Sequence, residues 1–209
     1  MTDQKELSIF SRNTSGYKKV CNFAKRVYAE KLDFNLNHFP EVFISVHDRN
    51  RIYGCIGLNV EVESILFTEN PSFNSAQTAL PVNTHCCEQS VLVIDGLSRM
   101  LPLLIATAAH LAGIYGAQKV AFAGICASMH AIEKIGCAVE EVGPVTLDMM
   151  PSAQRVNYEK WHQENEPNIY LLDTKSATMA YLRALMKYGR NVQPCSVLAP
   201  KKDKQLLVA

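Results

Sequence analysis

The chain is predicted to fold as an α/β (α+β) domain, with a mixed, mostly antiparallel sheet and helices on both faces. Three observations predict this. Glu41–His47 (EVFISVH) and Arg51–Val60 (RIYGCIGLNV) are rich in β-branched, aromatic and aliphatic residues. They flank Asp48-Arg49-Asn50, where Asp and Asn tolerate the angles of a tight reversal, so the pair reads as a hairpin. Glu88–Ile94 and Lys119–Ile125 are near-continuous apolar stretches separated by a helix-length apolar segment, which reads as two parallel strands joined by a right-handed crossover. A hairpin followed by strand–helix–strand gives a mixed sheet with helices packed on it.

Before the hairpin, Ser15-Gly16 starts a helix through about Lys31, with Ser15 as its cap. Val20, Phe23, Ala24, Val27 and Tyr28 fall at helical spacing, and Lys18, Lys19, Lys25 and Arg26 mark the outer face. Asp33 to Pro40 is a loop with Phe34 and Phe39. After the hairpin, Glu63–Glu69 is a short apolar patch, followed by a long loop, Asn70–Asn83. Asp95-Gly96 turns the chain into a helix over Leu101–Ala117, and Ser128 caps a helix over Met129–Ile135 that Gly136 ends. Ala138–Val142 and Val145–Met149 are short extended pieces. Ser152–Glu159 reads as a helical turn, Asn168–Leu172 as a strand and Ser176–Tyr188 as the last helix. Residues 1–192 form one domain, and 193–209, with Lys201-Lys202-Asp203-Lys204, form a tail expected to be partly disordered.

The 209 residues are 48% hydrophobic and 20% charged, which suits a globular protein with a sizeable core. A formal net charge of +1 gives no reason to expect nucleic acid as partner. The seven Cys form no paired C-x-x-C motifs, so free thiols in a reducing cytoplasm are expected rather than a disulfide framework or a metal site. The polar start Met1-Thr2-Asp3-Gln4-Lys5-Glu6 leads into no apolar core of a secretory signal. Met100 to Gln118 is the longest uncharged run, about the minimum for a bilayer span, yet it reads better as a helix buried against a sheet than as an integral span.

Four stretches carry a family resemblance. They are Arg26-Val27-Tyr28-Ala29 with Phe39-Pro40, Tyr53-Gly54-Cys55-Ile56-Gly57-Leu58, Ile65-Leu66-Phe67-Thr68-Glu69, and Glu166-Pro167-Asn168-Ile169. With the order of elements they resemble the thermostable hemolysin family, within the GNAT acyltransferase superfamily. A weaker similarity to the acyl-homoserine-lactone synthases rests on Leu97-Ser98-Arg99-Met100, on His130-Ala131-Ile132-Glu133-Lys134-Ile135-Gly136 and on Val142-Gly143-Pro144. The resemblance implies a GNAT-like sheet whose two parallel strands part to hold a pantetheine arm. It also implies a pyrophosphate loop before the crossover helix, and a tyrosine after the second strand. This chain departs at both: Ser98-Arg99-Met100-Leu101-Pro102-Leu103 has no glycine and a proline with no N–H, and Ile132 stands at the tyrosine position.

The implied reaction moves an acyl group from a thioester, on coenzyme A or acyl-carrier protein, to a small amine, without a metal. Leu92, Val93, Ile94, Gly124 and Ile125 are expected to border the pantetheine arm, with Arg99 at the helix start to meet a carrier phosphate, or as a surface arginine, and Ser98 beside it, read first as the cap of the Leu101 helix. Asp95 is a candidate base or amine-binding group, and equally a turn residue before Gly96; Glu88 is a candidate carboxylate on the acceptor side, or a solvated edge acid. His130 is a candidate acid in place of the tyrosine, or an ordinary first-turn His. Tyr53, Phe67 and Phe73 are candidates for an acyl pocket. Two further functions stay open: a membrane-active protein exposing Leu101–Tyr115, and a non-catalytic ligand-binding relative. Acyl length, acceptor and oligomeric state are not readable from the sequence.

Overall fold

In the computed structural model, residues 4–60, 84–96, 98–147 and 152–194 are described. The Glu63–Glu69 patch with Phe67, the Asn70–Asn83 loop with Phe73, and the tail from residue 195 onward lie outside them. Strand β1 (Lys5–Ser11) leads to helix α1 (Tyr17–Leu32), then to the hairpin β2 (Val42–His47) and β3 (Ile52–Asn59). Strand β4 (Cys86–Ile94) passes through a 3-10 turn (Ser98–Met100) into α2 (Leu101–Ile114) and β5 (Lys119–Gly124). Helix α3 (Cys126–Glu133), β6 (Val139–Pro144), α4 (Ser152–Asn165), β7 (Asn168–Asp173), α5 (Thr174–Tyr188) and β8 (Val192–Pro194) complete the chain.

The strands form one 8-stranded sheet in the order β6-β7-β5-β4-β3-β2-β1-β8. The β4/β5 and β1/β8 pairs are parallel and the others antiparallel, so the sheet is mixed and mostly antiparallel as expected. Alternation along the strands sends successive side chains to opposite faces. Ile44, Ile56, Leu58, Cys87 and Val120 join α2, α3 and α5 in the main core. Phe43, Cys55 and Val93 point the other way, onto Val20, Phe23, Ala24 and Val27 of α1. Helices therefore cover both faces.

Helix α2 explains the apolar run. Its eight residues from Pro102 to Ala109, with Leu111 and Ala112, are buried, so it is apolar all round because the sheet and α5 enclose it. Among the described residues no helix is long and apolar enough to cross a membrane. Three capping expectations are not met, the first at α3, which starts at Cys126 from an Ile125 N-cap without a side-chain cap and ends at Glu133, so that Ser128 lies inside the helix rather than before it. Helix α1 has Gly16 at its N-cap without a side-chain cap, because the Phe10 ring lies 2.1 Å from where a Cβ would stand. Helix α2 starts from Met100 without a side-chain cap, with Pro102 in its first turn where a missing N–H is harmless; Ser98 opens the preceding 3-10 turn instead.

Burial also sets the behaviour at high pH. It raises the thiols of Cys86 and Cys137 to about 11 and that of Cys87 to about 12, from an ordinary 9.0. It raises the phenols of Tyr17 and Tyr158 to about 12, from 10.0. In each case the folded chain keeps a proton that the unfolded chain releases. The stability these groups protect is therefore complete below about pH 9 and is lost as pH rises through 11 to 12. Thermal melts should give a level Tm from pH 7 to 9 and a steep fall above it. A level Tm to pH 11 would contradict this burial.

Candidate active site

The parallel pair at the centre of the sheet is short. Cys86, Cys87 and Glu88 of β4 pair with Lys119, Val120 and Ala121 of β5, and the ladder stops there. Beyond that point β4 stays paired to β3 through Ile94, and β5 stays paired to β7 through Gly124. Each strand holds to its outer neighbour, so the two part from each other. The facing edges carry main-chain N–H and C=O groups without a partner across the gap, which is the chemistry needed to hold an extended, amide-bearing chain.

A bulge shapes the β4 side. The β3/β4 register shifts at Ile56/Gly57, and Val91 takes φ 45°, a left-handed conformation costly for a β-branched residue. Such strain is commonly held where a strand must re-aim a group. Here the next residue, Leu92, brings its main chain beside the Tyr28 phenol on the cavity wall. Gly57 sits opposite the bulge, and a Cβ on it would lie 2.4 Å from Pro40 Cγ and 3.0 Å from the Ser90 carbonyl oxygen.

Between the parted strands lies a cavity of about 230 Å³. Gln89, Ser90, Val91 and Leu92 form one wall, and Phe122, Ala123, Gly124 and Ile125 the other. Tyr28 and Leu32 of α1, Phe34 and Tyr158 close the α1 side, and Ile105 of α2 the opposite one. The aromatic side chains brace one another: Phe34 meets Tyr28 edge-on at 5.3 Å and Tyr158 edge-on at 5.4 Å. Burial drives the Tyr28 phenol well above its ordinary range. The Ser90 Oγ is buried on this wall without a hydrogen-bond partner.

Glu88 stands where the strands separate and is 0% exposed. Asn59 of β3, also fully buried, donates from its side-chain amide to a Glu88 carboxylate oxygen at 2.7 Å. The Asn59 Oδ1 accepts from the Glu41 N–H at 3.3 Å, which fixes which way the amide points. A buried carboxylate is held at considerable desolvation cost, and such groups concentrate at functional sites. Its charge is felt at Tyr158, whose phenol is pushed up to about 12 by burial first and by Glu88 second.

The other expected site residues are distributed as follows. Leu92, Gly124 and Ile125 line the cavity. Val93 is buried under α1 and Ile94 packs on the main core, so both hold β4 in place without bordering the slot. Asp95 follows at the end of β4, partly exposed, within 3.3 Å of Lys31, 3.1 Å of Arg51 and 3.7 Å of Arg26. The hydrogen bond from Lys31 and the Arg51 contact hold its carboxyl below the usual range. Ser98 and Arg99 are exposed in the turn before α2. His130 is exposed on α3, 3.9 Å from Glu133, and does not line the cavity. Ile132 is fully buried in the main core. Tyr53 donates to the Asp48 carboxylate at the hairpin turn, away from the cavity. Tyr28, Phe34, Ser90, Ala123 and Tyr158 were not readable as site residues, because only the parting of β4 and β5 brings them together. Among the described residues no group of His, Cys, Asp and Glu is placed to hold a metal ion.

Solved structures with the same fold exist. One is a coenzyme-A-dependent acyl-homoserine lactone synthase, BjaI, solved with SAM and isopentyl-CoA; it superposes with a TM-score of 0.66 at 13% identity, covering 91% of this chain and 93% of that one. Another is FeeM, an N-acyl amino acid synthase from uncultured soil microbes, with a TM-score of 0.59 at 9% identity, covering 88% and 99%. A third is TofI, in a ternary complex with an inhibitor and MTA, with a TM-score of 0.58 at 16% identity, covering 84% and 96%. At these identities the likeness is one of fold. No protein-family model matches the chain. No curated protein matches its sequence.

Proposed function

We propose that the protein is an N-acyltransferase that moves an acyl group from a thioester, on coenzyme A or acyl-carrier protein, to a small amine. The observation that carries this reading is the slot opened where the β4/β5 ladder ends, with the buried Glu88 on the last rung of that ladder, one residue before the cavity lining begins at Gln89. The shared fold with an acyl-homoserine lactone synthase and an N-acyl amino acid synthase supports it.

The pantetheine arm lies between β4 and β5, its amides meeting the unpaired strand edges. The Ser90 hydroxyl offers a polar contact inside an otherwise apolar wall. The Leu92 N–H, on the cavity wall just past the bulge, donates to the thioester oxygen as it gains charge. Glu88 takes the proton from the attacking amine. Arg99 and Ser98, exposed before α2, meet the phosphate of the carrier. With no glycine in that turn and Pro102 in the first helical turn, the site holds phosphate by side chains rather than by a cradle of N–H groups. Asp95, held by three cations, ties α1 and the hairpin turn to the end of β4. Cys21, Cys55, Cys86, Cys87 and Cys137 are free, buried thiols, which fits a reducing cytoplasm. The membrane-active alternative needs an exposed α2, and α2 is enclosed.

The test is to incubate the protein with acyl-CoA and acyl-carrier-protein thioesters from two to sixteen carbons, together with the amino acids and S-adenosylmethionine as amines. Thiol release and amide mass are the readouts. Transfer to at least one amine is expected; no thiol release with any donor would end this reading.

A further inference from the structure

A second groove, of about 660 Å³, runs along α1 at the β2–β3 turn and shares no lining residue with the slot. Its base is apolar. Val20 and Phe23 of α1 are buried there, and Phe10 of β1 and Ile52 of β3 half-buried. Gly16 lets the Phe10 ring lie against the start of α1, because a Cβ on it would stand 2.1 Å from that ring. The rim is cationic: Lys19 and Arg26 of α1 and Arg49 and Arg51 of the turn are exposed along it.

The acids nearby do not cancel this charge. Asp48, the one carboxylate in the lining, is satisfied within the turn: it accepts from the Asn50 and Arg51 N–H groups, both at 2.8 Å, and from the Tyr53 hydroxyl. Glu30 pairs with Arg26 at 3.0 Å. Asp95 Oδ2 lies 3.1 Å from Arg51 and 3.7 Å from Arg26. Guanidinium groups from α1 and from the turn thus converge on one anionic oxygen. Each carries five N–H donors, more than these acids take up. Lys19 and Arg49 make no ion pair among the described residues.

We propose that this groove is a second ligand site, for a phosphate monoester with an aromatic body, the class to which mononucleotides belong. Its volume is that of a small-molecule site, whereas a protein partner would meet a flatter face. Convergent guanidinium forks match phosphate oxygens, and the rings at the base take a planar apolar body. The ring lies on Phe10 and Phe23, and the phosphate takes Arg26 and Arg51 with Lys19 and Arg49 beside it. The phosphate competes with Asp95 for the two shared arginines, which links the groove to the end of β4. The site does not depend on the acyltransferase reading.

The experiment titrates the protein by calorimetry with 1-naphthyl phosphate, 1-naphthol and inorganic phosphate. The ester is expected to bind with a Kd below about 1 mM, and each fragment at least about tenfold more weakly. Lys19→Glu combined with Arg49→Glu should weaken the ester about tenfold or more. Both side chains are exposed and outside any ion pair noted above, so a thermal melt should be unchanged. Asp95→Asn removes the competing carboxylate and should tighten the ester about threefold, a gain that misfolding cannot produce. No binding of the ester, equal binding of phosphate alone, or an affinity unmoved by the double charge reversal would overturn the site. An affinity unmoved by Asp95→Asn would overturn the part given to Arg26 and Arg51. Poly-glutamate that binds more tightly than the ester, and is lost on charge reversal, would replace the small ligand with an acidic protein and overturn the class. Saturating coenzyme A separates two sources of the same chemistry: displacement of the ester assigns the groove to the coenzyme's nucleotide end, and simultaneous binding assigns it to a separate phosphate ester, the site standing in both cases.

Discussion

Replacing Glu88 with Gln is expected to lower kcat for acyl transfer by about 10²–10⁴-fold, with little change in KM for the thioester. The two side chains have the same shape. Gln can turn its oxygen toward the Asn59 amide and keep the hydrogen bond now made at 2.7 Å. What it cannot do is accept the amine proton. The fold has little reason to suffer, because the change removes a charge from a fully buried position. Steady-state kinetics with a fixed amine, together with a thermal melt, separate the two effects. A variant with the wild-type kcat would show that the amine loses its proton elsewhere, and Glu88 would become a structural acid. A variant that loses activity only by melting below the assay temperature would lead to the same conclusion.

The same residue shows where the sequence stops being informative. Glu88 at the start of an apolar strand has the look of a solvated edge acid, and nothing beside it in the chain says otherwise. Its burial is set by Asn59, which faces it in the β3/β4 register, and by Tyr158, some seventy positions downstream. The parting of the strands is equally hidden. Val91–Ile94 and Val120–Gly124 are apolar throughout, and apolarity does not say where a ladder ends; that follows from each strand keeping its outer partner.

The strand–helix–strand unit, by contrast, was legible, because length and continuous apolarity separate a buried strand from a buried helix. The hairpin was legible from turn chemistry. Strand β1 was not, since KELSIFS has only Leu7 fully buried and its side chains are otherwise mixed. Helix α4 was read as a single turn because its sequence, SAQRVNYEKWHQEN, has no apolar stripe; its Tyr158 finds its place in the tertiary structure rather than in a periodic pattern.

Helix α2 gives the second large effect. Leu104→Ala is expected to destabilise the fold by about 2–5 kcal/mol, read as a fall of roughly 1–2 M in the urea midpoint at an unchanged slope. Leu104 is 0% exposed in the main core, and its Cδ1 lies 3.2 Å from where a Cβ on Gly54 of β3 would stand. The leucine thus fills the space that this glycine leaves, and an alanine there opens a cavity that the sheet on one side and α5 on the other are too rigid to close. The result bears on function as well as stability. A helix that displayed this run to lipid would have little at stake in the aqueous fold, and removing one isobutyl group would leave the urea midpoint where it was. A helix that wedges against β3 instead fixes the strand to which β4 clings beyond Glu88. Softening that wedge should let β4 relax toward β5 and narrow the slot. The variant should therefore show a raised KM for the thioester even at temperatures where it remains folded, and a KM equal to wild type would mean that the slot is held open without help from α2.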